Sequence, residues 1–137
     1  MKKRGILVLI IYSFGVLVFT VISRRTSNYK PLLVFLWSYK AVIAGETKYI
    51  PEILGNIAMF IPVGFLCAFI FADKKILPII LSGFAFSLCI ELCQLIFHKG
   101  SFEFDDLFNN TLGAIIGFLL YLLIRKVFDE RKSDKVN

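Results

Sequence analysis

Four long stretches of the chain are almost free of charged side chains: Gly5 to Ser23, Ile53 to Ala72, Ile76 to Phe97 and Leu107 to Ile124. Each is about 18–22 residues, which at 1.5 Å per residue reaches about 27–33 Å, the thickness of a bilayer's hydrocarbon core. Backbone groups cannot pair with water inside lipid, so the pattern predicts four spanning helices. The first follows Met1, Lys2, Lys3 and Arg4, a basic start shared with signal peptides. Val21-Ile22-Ser23-Arg24 lacks the small-x-small cleavage pattern, so a retained span is expected. Pro62 removes one backbone bond from the second run and predicts a kink there. A fifth apolar stretch, Leu32 to Ile43, is about 12 residues and too short to cross. Pro31 opens it, and Trp37, Tyr39 and Lys40 suit the headgroup level, so it reads as an interfacial helix, with half of a re-entrant hairpin as the alternative.

Composition agrees with that pattern. Of 137 residues, 58% are hydrophobic and 19% charged, against about 45–50% and 25% in soluble domains. An ordinary water-soluble enzyme, a disordered tail and a basic nucleic-acid binder are excluded. No repeat or hinge marks a boundary, so residues 1–137 read as a single domain. The expected architecture is an all-α integral membrane protein, a four-helix transmembrane bundle plus a short interfacial helix.

The net charge of +6 comes from Lys and Arg near the chain ends and in short loops. With four spans, ten of these residues lie on the side of the termini and six on the other. The positive-inside rule then places both termini in the cytoplasm. The basic excess reads as orientation and contact with anionic membrane lipid, not with nucleic acid. Cys67, Cys89 and Cys93 sit inside apolar runs without a CxxC and are expected to be buried free thiols.

The polar residues inside the runs are not scattered in depth. Glu91 lies 15 residues after Ile76, about 22 Å along that helix, and Gln94 is one turn further. Asn56 is near the start of the second run, and Asp105, Asp106 and Asn110 are at the start of the fourth. Three spans therefore bring polar groups to one level, at the end opposite the termini. A carboxylate at that depth costs a few kcal/mol unless paired or hydrated. Glu91, Gln94 and His98 share one helical face, and Asp106, Asn110, Gly113 and Gly117 share another. Gly113 and Gly117 form a GxxxG that admits a close neighbour. The short connection before them makes the third span the expected neighbour, with Asp106 and Asn110 against its polar face.

Three blocks carry a family resemblance. Asn56-Ile57-Ala58-Met59-Phe60-Ile61-Pro62-Val63-Gly64-Phe65 resembles the N-x-x-x-F-x-P-x-G-F signature of the VanZ-like membrane proteins. Glu91-x-x-Gln94 resembles their E-x-x-Q. Phe102-Glu103-Phe104-Asp105-Asp106-Leu107, followed by Asn110-Thr111-Leu112-Gly113, resembles their F-D-x-D-D-L and N-T-x-G. Order and spacing agree over roughly Asn56 to Tyr121. The resemblance implies a bacterial cell-envelope protein that lowers susceptibility to teicoplanin-type lipoglycopeptides, and it implies no particular reaction. One departure stands out. Lys99-Gly100-Ser101-Phe102-Glu103 replaces the usual G-R-x-F-D, so Lys99 is expected to supply the missing arginine's charge with less directional bonding.

The candidate ligand-binding residues are Asn56, Glu91, Gln94, Glu103, Asp105, Asp106 and Asn110. Glu91 reads either as a helix–helix bond to Asn110 or Gln94, or as a ligand-facing carboxylate. Capping of the fourth helix accounts for one of Glu103, Asp105 and Asp106. The remaining acids suit a cationic group of a headgroup or antibiotic better than a divalent metal, whose ligand spacing is unspecific. Asn56 is expected to cap the second helix or donate to Glu91, and His98 to serve a helix end. No nucleophile motif, phosphate loop or zinc pattern occurs, and no cofactor is expected. Two functions fit. One is a non-enzymatic protein whose outer-leaflet pocket holds a lipid headgroup or lipoglycopeptide. The other is an intramembrane enzyme on an envelope lipid, with Glu91 and Asp106 as an acid–base pair. The missing nucleophile favours the first.

Overall fold

The computed structural model describes residues 2–26, 30–71 and 75–133. Among them are five α-helices and no β-strand: α1 (Lys2–Leu17), α2 (Trp37–Ile43), α3 (Ile50–Phe71), α4 (Leu77–Ile96) and α5 (Phe104–Ser133). A wide π-helical turn, Val18–Ile22, continues α1, and a 3-10 turn, Thr47–Tyr49, leads into α3. Among the described residues, four segments are long and apolar enough to cross a membrane: Lys2–Ile22, Thr47–Phe71, Leu77–Ile96 and Phe104–Arg131. Their outer faces expose large apolar side chains, among them Leu7, Ile10, Ile11 and Phe14 on α1. Such a continuous apolar exterior suits lipid and not water.

Successive spans are antiparallel. Gly5 packs on Phe69 near the chain ends. Midway along, the Tyr12 hydroxyl donates to the Met59 carbonyl at 2.9 Å. At the opposite end, the Gln94 amide donates to the Thr20 carbonyl at 3.1 Å. The chain ends thus share one end of the bundle, and the other is the loop end. Phe60, Val63 and Ala68 of α3, Ile79 and Ile90 of α4, and Ala114 and Phe118 of α5 fill the interior.

The tightest seam joins α5 to α3, not to α4 as the short connection had led one to expect. A Cβ on Gly113 would stand 2.2 Å from the Ile57 carbonyl oxygen, and one on Gly117 would stand 2.0 Å from that of Ile61. From the other side, a Cβ on Gly64 would stand 1.9 Å from the Ala114 carbonyl oxygen. Glycines on both helices make the approach reciprocal. On α4, the one glycine, Gly83, meets α5 opposite the Ala114 methyl. α3 stays a single helix through Pro62.

Two further expectations are corrected. The short helix forms only over Trp37–Ile43, because Leu32 N–H is drawn into a 2.9 Å bond to the Phe102 carbonyl and Leu36 turns left-handed at φ 57. Cys89 faces outward, since the buried stripe of α4 lies on the opposite side, whereas Cys67 is buried.

Candidate functional site

On α4 the buried positions Gly83, Ser87, Glu91 and Gln94 recur every three or four residues and form one inward stripe. On α5 the first two turns carry Asp105, Asp106, Asn109 and Asn110, all buried. α3 contributes Asn56, partly buried. Glu91 is 1% exposed, Gln94 2% and Asn110 2%, so these polar groups have left water entirely.

Direct bonds lace four helices together at this level. Asn56 Nδ2 donates to Asp106 Oδ1 at 2.6 Å, tying α3 to α5. Asn110 Nδ2 donates to Ser87 Oγ at 2.8 Å, tying α5 to α4. Glu103 N–H donates to Glu91 Oε2 at 2.9 Å, tying the loop to α4. Gln94 reaches Thr20 on the continuation of α1. Interhelical bonds of this kind contribute about 0.6–2 kcal/mol each in lipid. Glu91 therefore bonds neither Asn110 nor Gln94: Asn110 donates instead to Ser87, one turn before Glu91 on α4, and Gln94 to Thr20. Asn56 caps nothing, since α3 begins earlier, at Ile50, and its amide serves Asp106 instead of Glu91.

Two buried acceptors, Gln94 Oε1 and Asn110 Oδ1, have no protein partner. Buried polar atoms are nearly always paired, so these two mark places where a water or a ligand donor belongs.

Asp105 separates from the other acids. Its carboxylate accepts from Leu36 N–H at 2.5 Å, Ser38 N–H at 2.8 Å and Ser38 Oγ–H at 2.5 Å. The first turn of α2 is thus capped by a side chain from another helix. The Tyr39 hydroxyl donates to Asn109 Oδ1 at 2.5 Å, and the Trp37 indole to Glu103 Oε2 at 3.2 Å. Phe35 stacks edge-on against Phe108 with centroids 5.6 Å apart. Residues 32–43 consequently form a lid fastened across the loop end. Burial pushes the Glu103 carboxyl above its usual range, and Glu52 and Asp105 push the same way, while the Trp37 indole and Arg24 oppose them.

The cation that bears on Glu103 is Arg24, not Lys99. Lys99 Nζ donates to the Arg24 carbonyl at 2.7 Å. Arg24 acts through its field and not through an ion pair among the described residues. Its Nη1 lies 3.0 Å from where a Cβ on Gly100 would stand, and Gln94 Oε1 lies 3.2 Å from the same point. The absent side chain at Gly100 leaves room for both. Lys99 spends its ammonium on the arginine's backbone carbonyl.

His98 is exposed and left-handed at φ 54. It turns the chain out of α4, with Lys99 N–H closing on the Gln94 carbonyl at 2.8 Å. Sequence reasoning missed Ser87, Thr20, Asn109, Tyr39 and Arg24. Ser87 was findable, one turn before Glu91 on the same face. The others become partners only through the fold. Among the described residues, no group of three or more His, Cys, Asp or Glu could hold a metal ion.

A family profile described as VanZ/LLP1 matches residues 5–125. The chain is 34% identical over 85 residues to "Protein VanZ" of Enterococcus faecium, a match covering 62% of this chain and 53% of that protein. The chain thus spans about half the length of this curated relative. No solved structure matches it.

Proposed function

The chain belongs to the VanZ/LLP1 family, and from that premise we propose that it is a non-enzymatic cell-envelope protein that lowers susceptibility to teicoplanin-type lipoglycopeptides. In this reading the loop end faces the cell exterior, and its polar pocket holds the head of an envelope lipid. The observation that supports it most is the convergence of Asn56, Glu91, Asp106 and Asn110 from three helices at one level, with two acceptors left over. A bundle needing only adhesion would satisfy all its buried groups internally. The acid–base alternative is weaker, because no nucleophile motif accompanies Glu91 and Asp106 in the sequence.

The test is expression of the intact protein in a susceptible bacterium. Teicoplanin susceptibility should fall, and susceptibility to a glycopeptide without a lipid tail should not. Asp106→Asn keeps the side chain's size but removes its charge, and should abolish the effect at equal membrane abundance. Unchanged teicoplanin susceptibility on expressing the wild type would overturn the proposal.

A further inference from the structure

A second feature adjoins the polar pocket. A cleft of about 710 Å³ opens between α1 and α3, within the usual range of ligand sites, about 300–1,000 Å³. Its walls follow α1 from Ile11 up to Arg24, about 20 Å along the axis and so at least one leaflet of a ~30 Å core. The lower part is apolar, lined by Ile11, Phe19 and Met59, with Gly15 and Gly55 facing each other's helices. A Cβ on either glycine would meet nothing within 4 Å. These glycines therefore do not mediate helix contact, unlike Gly113 and Gly117; they leave space. The Tyr12–Met59 bond ties the two helices together along the cleft.

The upper end of the cleft is polar and holds one cation and one anion, Arg24 and Glu52, with Asn56 beside them. A purely anionic head would meet Glu52 and the acids behind Asn56. A purely cationic head would meet Arg24. A head bearing both a phosphate and an amine satisfies both partners, with the phosphate on the guanidinium and the ammonium on the carboxylate.

We propose that the α1–α3 cleft is a lateral binding site for one amine-bearing phospholipid, its acyl chain along Gly15 and Gly55 and its head between Arg24 and Glu52. This rests on reading the loop end as a lipid-head site and supplies the ligand's class. The chain enters sideways from the bilayer, and its head arrives next to Asn56 and Asp106.

The full-length protein is purified in detergent and titrated with three lipids of identical chains: phosphatidylethanolamine, its N-acetylated derivative and phosphatidylglycerol. Native mass spectrometry counts the retained lipids. Phosphatidylethanolamine should bind about tenfold more tightly than either comparator, the worth of one charge-assisted bond. Gly55→Leu and Gly15→Leu start a side chain in open space within the cleft, and each should reduce retention without lowering the melting temperature. Arg24→Gln should reduce retention of all three lipids, since each carries a phosphate, and Glu52→Gln should erase the preference for the amine. Equal retention of all three lipids means annular lipid only and overturns the proposal. Loss with Arg24→Gln but not with either glycine variant overturns the cleft while leaving a head site intact. No retained lipid at all overturns the cleft and the head site together.

Discussion

A single carboxylate, Asp105, holds the lid. It takes three hydrogen bonds from Leu36 and Ser38, residues that lie 67 to 69 positions away in the chain. Asp105→Ala would strand those donors, and a stability loss of about 2–3 kcal/mol is expected in detergent unfolding. Asp105→Asn should retain part of it. A loss below about 0.5 kcal/mol, as for ordinary surface substitutions, would show that the lid does not depend on this side chain. The contrast with Asp106 explains what could be read in advance. Asn56, Glu91 and Asn110 interrupt apolar runs, and their depth alone made them conspicuous. Asp105 and Asp106 are neighbours of identical chemistry, and helical geometry sends one to α2 and the other to Asn56. Arg24 gave no signal, because an arginine after a span is ordinary snorkelling. Its role depends on a loop 75 positions away, where Lys99 grips its carbonyl.

Helix spacing is governed by glycines of two different kinds. At Gly113 the α3 backbone already occupies the place of a side chain. Gly113→Val should therefore cost more than about 4 kcal/mol or prevent assembly. At Gly55 there is open space, and Gly55→Ala should stabilise the bundle by about 0.5–1 kcal/mol through reduced chain entropy. Thermal unfolding of both variants in one detergent checks the pair, and equal effects would refute the distinction. The four spans were legible because hydrophobic length is a local property. The start of the lid was not. Its first residues are pulled out of helical geometry by Phe102, far away in sequence. The charged tail, by contrast, read as a solvated continuation of the last helix, and α5 runs on to Ser133.

For the whole molecule, the property of greatest consequence is which way it faces. Ten basic residues on the side of the termini against six at the loop end favour an exterior loop end. Thr47 is exposed there. A Thr47→Cys variant lacking Cys67, Cys89 and Cys93 should react with an impermeant thiol reagent on intact cells. Reaction only after lysis would invert the topology and detach the pocket from any extracellular antibiotic.

The wide turn at Val18–Ile22 has a bearing on all of this. It holds one residue beyond the regular complement, with Ser23 N–H reaching back to the Val18 carbonyl at 2.9 Å. That surplus residue re-phases everything downstream by about 100° around the axis. Thr20 and Val21 are both buried there as a result, and the Thr20 carbonyl stands where the Gln94 amide of α4 can reach it. Excising one residue of the turn would restore an ordinary helix, swing that carbonyl out of line and uncouple the first span from the third at the loop end.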